Sequence, residues 1–461
     1  MIFSSITFLF YFLPVLLIIY YAVPKKFKNI ILLIASMLFY FVGEPKYILL
    51  MIVSVLNTYI FGILINKYEK YSKLFLIISL CISAGFLIYF KYIDFLIENI
   101  NLFLKNKLDL LYVALPVGIS FYTFQMMSYL VDVYRKEVPS QKNILDLALY
   151  VVLFPQLIAG PIVRYTTVVK ELAERTHSFE KFSQGVTKFV IGLGKKVLIA
   201  NVIGELGTIF LSTSDPSVIY HWMYGLAIMM QIYFDFSGYS DMAIGLGKMF
   251  GFDYNENFNY PYIATSITEF WRRWHMSLSS WFRDYIYIPL GGNRVSKAKW
   301  IRNIFVVWML TGIWHGASWN FVVWGLYFAI LLLIEKILLK KYLEKLPKVF
   351  SNLYTCILVM ISFIIFNGNS TEEIMNHLSG LLGLNGIPFI SQETIYYLKS
   401  YLMIFIISII GSTPLMKMIV NSKYLKKAQN VLEPIFVVVI LLVSTAFIVD
   451  GSFNPFLYFR F

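Results

Sequence analysis

The sequence predicts an all-α, polytopic membrane protein, and three observations carry that prediction. Hydrophobic side chains make up 59% of the 461 residues and charged ones only 14%. The mean hydropathy is +0.70, and apolar runs of bilayer-spanning length recur along the chain. A soluble enzyme is excluded on these grounds. The 39 basic and 26 acidic side chains leave a net charge of +13, an excess that in a membrane protein belongs to Lys and Arg retained in cytoplasmic loops, not to nucleic acid. Cys81 and Cys356 stand in apolar segments far apart, so neither a disulfide framework nor a thiolate metal site is expected.

Taken in order, residues 2–23 are apolar, with no basic segment before them and no small-residue cleavage pattern after them, and read as a retained first helix. Lys25, Lys26 and Lys28 follow at once, which places that loop in the cytoplasm and the N-terminus outside. A span at 29–42, the short link Gly43-Glu44-Pro45-Lys46 and a span at 47–65 return Lys67, Lys70 and Lys73 to the same side. Another span covers 74–90. The segments 109–131, 144–160, 185–211 and 218–247 are interrupted by Pro, Gly or polar residues, as expected of helices buried in protein. Residues 301–338, 350–366, 394–419 and 432–449 complete a count of roughly ten to twelve spans in one membrane domain over 1–461.

Residues 92–104, 165–184 and 258–300 have interfacial or re-entrant character. The last opens with the capping pattern Ser266-x-x-Glu269, and a helix running through 283 would place Trp271, His275, Leu278 and Phe282 on one face and Arg272, Ser279 and Arg283 on another. Arg294, Lys297, Lys299 and Arg302 continue the basic set and assign this amphipathic segment to the cytoplasmic side.

Two histidines are candidates for chemistry. His315, in Thr311-Gly312-Ile313-Trp314-His315-Gly316, is an ionisable group inside an apolar span, and sharing a helical face with Trp308, Thr311 and Trp319 would aim it into an aromatic-lined cavity as a neutral base. The alternatives are a structural hydrogen bond, or packing through Gly312-x-x-x-Gly316. His275 is either a second active-site group or a side chain that reaches the headgroups. His177, His221 and His377 lack metal-ligand spacing and are expected to be structural or solvated. Arg272, Arg273, Arg283 and Arg294 would hold either a phosphorylated ligand or lipid headgroups. Asp235 and Asp241 would orient a ligand or cap a broken helix. Pro116-Val117-Gly118 and Pro155 to Pro161 mark chain breaks. No G-x-S-x-G elbow, Walker lysine loop or dinucleotide spacing occurs, and neither His275 nor His315 is followed at the fifth position by Asp.

The stretch Phe270 to Ser277 with Trp281-Phe282-Arg283-Asp284-Tyr285 and Trp314-His315-Gly316 resembles the membrane-bound O-acyltransferases (MBOAT), nearest to their alginate O-acetyltransferase branch. Leu115 to Phe121, Phe154-Pro155-Gln156 with Gly160-Pro161, Asp235 to Asp241 and Asn454-Pro455-Phe456 extend the likeness over nearly the whole chain in consistent order. The resemblance implies a helical ring with a central tunnel and an acyl thioester donor, acetyl-CoA, used as a substrate with no permanently bound cofactor. It also implies a hydroxyl acceptor on an extracytoplasmic polysaccharide, an acyl-handling partner protein outside, and residence in a bacterial cell membrane. The family's essential histidine falls on His315 and its second active-site position on His275. The same branch includes D-alanyl transferases of teichoic acids; a transporter or flippase and a non-catalytic scaffold are the competing classes.

Overall fold

The computed structural model describes residues 1–384 and 386–451, in which the regular elements are helices, with no strand among the described residues. Among the described residues seven helices are long and apolar enough to cross a membrane: Lys25–Gly43, Pro45–Lys67, Glu69–Asn101, Trp319–Leu343, Lys348–Asn367, Gln392–Gly411 and Ala428–Asp450. A shorter apolar helix covers Thr7–Ala22. Of the other expected segments, 109–131 is helical only from Ile119, and the rest form helices that are shorter or carry more polar residues, the 32-residue helix Val218–Met249 among them. The Asn454-Pro455-Phe456 motif lies outside the described residues.

The chain divides into two compact units: residues 1–189 with 240–255, and residues 190–239 with 256 onward. In the first, the helices Ile48–Lys67, Ser72–Leu87 and Ile119–Tyr134 pack together. Buried Asn57 donates to Ser79 and Ser83 at 3.0 and 3.3 Å, the small-polar glue that joins helices where no hydrophobic drive distinguishes helix from lipid. Phe3, Phe8, Phe39 and Phe154 form an aromatic core beside them. The break at Pro116-Val117-Gly118 is real: Gly118 has φ +80°, and a side chain there would meet the Leu157 carbonyl at 2.7 Å.

In the second unit the helices Lys297–His315 and Trp319–Ile334 form a tight hairpin. Gly312 approaches the Phe321 carbonyl and Gly325 the Trp308 carbonyl so closely that a methyl group on either would collide. Gly312 is therefore a packing residue, as the Gly-x-x-x-Gly spacing allows. The helix stops at His315, and Gly316 is extended, so Trp319 opens the next helix and is 59% exposed. The predicted shared face of Trp308, Thr311, His315 and Trp319 thus loses its last member.

Candidate active site

His315 is buried as the last residue of its helix. Rings of Trp314, Trp324 and Phe366 stand edge-on to the imidazole with centroids at 5.0, 5.0 and 5.1 Å. Trp271 extends this enclosure, touching Trp324, Trp308 and Phe328.

The predicted helix through 266–283 is two helices. Ser266 caps the first, Ile267–Arg273, by accepting from the Glu269 amide, as its sequence pattern suggests. A second cap was not legible: the buried carboxylate of Glu335 accepts from the amides of Ile267 at 2.7 Å and Thr268 at 3.2 Å, matching negative charge to a helix N-terminus. The helix ends at Trp274, His275 adopts a left-handed backbone with φ +42°, and Met276–Phe282 begins anew. That conformation costs roughly 1–2 kcal/mol for a residue with a Cβ. It breaks the expected face, and His275 is 1% exposed, which overturns the headgroup-reaching alternative. The segment is packed into the unit, with Trp271, Trp274, Leu278, Trp281 and Phe282 all buried.

Asn257 holds the break open. Its backbone carbonyl accepts from the Met276 amide at 3.0 Å, while its Oδ1 accepts from the Ser277 amide at 3.2 Å and the Ser277 hydroxyl at 2.9 Å and lies 3.2 Å from His275 Nδ1. Two residues on, the Asn259 amide donates to the Arg273 carbonyl at 2.9 Å. Sequence reasoning began its re-entrant segment one residue too late to include Asn257; asparagines at 255, 257 and 259 in an apolar chain were the available signal. His275 packs at right angles to Phe236 at 4.7 Å and reaches Trp314 at 6.1 Å, so both candidate histidines contact one tryptophan. Burial pushes the His275 imidazole down to about 3, leaving it neutral at physiological pH. Its Nε2, Asn257 Nδ2, Trp271 Nε1 and Trp324 Nε1 are buried without a hydrogen-bond partner among the described residues. Native interiors rarely leave such groups unpaired, and each is available to a polar ligand.

The other candidates separate. Asp235 is buried against Lys196 at 2.6 Å, and Lys196 also donates to Asn201 at 2.8 Å. Lys196 was missed, although a lysine pair inside the apolar run 185–211 was its signal. Asp241 belongs to the first unit, where it pairs with Lys188 at 3.1 Å. Arg273 is engaged by Glu269 at 2.8 Å and Arg283 by Asp284 at 2.6 Å; Arg272 is exposed and has no carboxylate partner among the described residues. His221 and His377 are buried against each other, and His177 bonds Tyr20 at 2.9 Å. No group of three metal-ligating side chains comes together among the described residues.

A multi-pass helical protein that buries two imidazoles beside one tryptophan is suited to acid–base chemistry sheltered from bulk water. Residues 38–370 match the family described as MBOAT, membrane-bound O-acyltransferase family, and the chain belongs to it. It is 41% identical over 383 residues to the "Probable alginate O-acetylase AlgI" of Azotobacter vinelandii, covering 81% of this chain and 76% of that protein. Identity to the peptidoglycan O-acetyltransferase of Helicobacter pylori is 33% over 514 aligned positions, covering 100% of this chain and 98% of the relative. The teichoic acid D-alanyltransferase of Bacillus subtilis is 31% identical over 55% of this chain and 68% of its own. The protein is an O-acyltransferase of the membrane, and its reaction consumes an acyl donor.

Proposed function

We propose that the protein transfers an acetyl group from a cytoplasmic thioester, acetyl-CoA, to hydroxyls of an extracytoplasmic polysaccharide in a bacterial cell envelope. His315 and His275 form the active site. The observation that carries this reading is the pair of buried imidazoles in one aromatic enclosure with unpartnered polar atoms around them. In the reaction His315 accepts the proton of the acceptor hydroxyl as its oxygen attacks the thioester carbonyl. The C–S bond then breaks and the departing thiolate takes the proton back from the imidazolium. General base catalysis of this kind contributes on the order of 10²–10⁴-fold. Arg272 and Arg294, both exposed, are the members of the arginine set best able to meet a phosphorylated donor, because Arg273 and Arg283 already face carboxylates. An N-terminus outside, a tunnel linking the two membrane faces and an acyl-handling partner outside complete this reading.

Cells fed labelled acetate are expected to place label in alkali-labile ester on a surface glycan, and cells carrying His315→Gln are not. Labelled D-alanine separates the teichoic-acid reaction: alanyl ester that depends on this protein would replace the acetyl reading. Change in the sidedness of a lipid-linked sugar, with no ester dependent on the protein, would favour a flippase.

A further inference from the structure

The contacts at the break before Met276 settle more than the position of His275. The Ser277 backbone N–H can only donate, and it points at one end of the Asn257 amide at 3.2 Å, so that end is the oxygen. The same oxygen lies 3.2 Å from His275 Nδ1. A bare Nδ1 would set lone pair against lone pair, whereas Nδ1–H donates. The Ser277 hydroxyl fits the same arrangement, since it donates to Asn257 Oδ1 at 2.9 Å and leaves its own oxygen facing Nδ1 at 3.4 Å. A neutral imidazole carries one proton, so its Nε2, buried and unpartnered among the described residues, holds a lone pair.

We propose that Asn257 is a positioning residue of the acyl transfer, locking His275 in the Nδ1–H tautomer so that Nε2 can only accept a hydrogen bond from a substrate O–H. This rests on the reading of His275 as an active-site group. The strained His275 backbone belongs to the same device, because the bonds from Asn257 to residues 275, 276 and 277 keep the left-handed turn in place.

Ring ¹⁵N NMR of the full-length, histidine-labelled protein in detergent reads the tautomer directly, with the His275 signals identified by their loss in His275→Gln. The wild type is expected to show Nδ1 protonated and Nε2 bare, and Asn257→Leu a mixture of tautomers. In acetyl transfer by membranes bearing the native glycan, Asn257→Leu should lower kcat at least tenfold while KM for the thioester stays within about threefold. Asn257→Asp preserves size and the accepting oxygen but adds a negative charge that favours imidazolium, so the acid limb of the pH–rate profile should move up by about one unit or more. A wild-type His275 protonated on Nε2, or an Asn257→Asp profile that coincides with the wild type, overturns the proposal even where Asn257→Leu fails to fold. Full turnover by His275→Gln overturns both this proposal and the active-site reading of His275. Impaired His275→Gln beside unaltered Asn257→Asp overturns this proposal alone.

Discussion

His221 and His377 are as well buried as His275, yet the two places are wired differently. The first two meet Nδ1 to Nδ1 at 3.0 Å, one donating to the other, with Tyr224 stacked on His377 at 4.0 Å. Neither has a nitrogen that is both buried and unpartnered among the described residues, whereas His275 presents such an Nε2 inside an aromatic enclosure. Burial alone therefore does not mark a functional histidine. What distinguishes His275 is that its fold satisfies one nitrogen through Asn257 and Ser277 and leaves the other for something else.

The sharpest way to break this comparison is to exchange the outcomes. His315→Gln is expected to lower acetyl transfer by about 10²–10⁴-fold with little change in detergent stability. His377→Gln should leave transfer within about threefold of the wild type while lowering the melting temperature. Loss of transfer in both variants at equal protein level would remove the distinction. A second test concerns the buried carboxylate of Asp235. Asp235→Asn removes the counter-charge of buried Lys196, which keeps its bond to Asn201, and should cost roughly 3–5 kcal/mol, read as lost folded protein after extraction. The double variant Lys196→Met with Asp235→Leu should recover much of that loss, and failure to recover would give Asp235 a role beyond the ion pair.

Smaller effects sharpen the picture. Gly312→Ala forces a methyl group toward the Phe321 carbonyl and should destabilise the hairpin by about 1–3 kcal/mol, measured as a lower melting temperature. Burial and the neighbouring His221 push His377 down to about 4, below the unperturbed value of about 6.5. Its folded form thus disfavours the proton. The associated stability is complete above about pH 6.5 and declines as the pH falls through about 4, a dependence that His377→Gln should flatten.

Much of the fold was legible because apolar run length and lysine placement report directly on membrane spans, as at Lys25–Gly43 and Pro45–Lys67. His315 stood out for the same reason, as an ionisable group in an apolar run. The break at His275 was hidden, because Trp271, Leu278 and Phe282 keep helical spacing across a point where the backbone reverses hand. Long-range partners were hidden as well. Asn257 is 18 residues from His275 and Glu335 is 68 from Ile267, and periodicity carries no information about contacts at such separations. The carboxylate partners of Arg273 and Arg283, Glu269 and Asp284, were hidden too, because sequence proximity alone does not show which charges pair.

The most direct test of the central claim is the alkali-labile acetyl ester formed on surface glycan by cells expressing equal amounts of the wild type, His275→Gln, His315→Gln and His377→Gln. The account predicts ester in the wild type and in His377→Gln and none above background in the other two. Wild-type ester in His275→Gln and His315→Gln would contradict it.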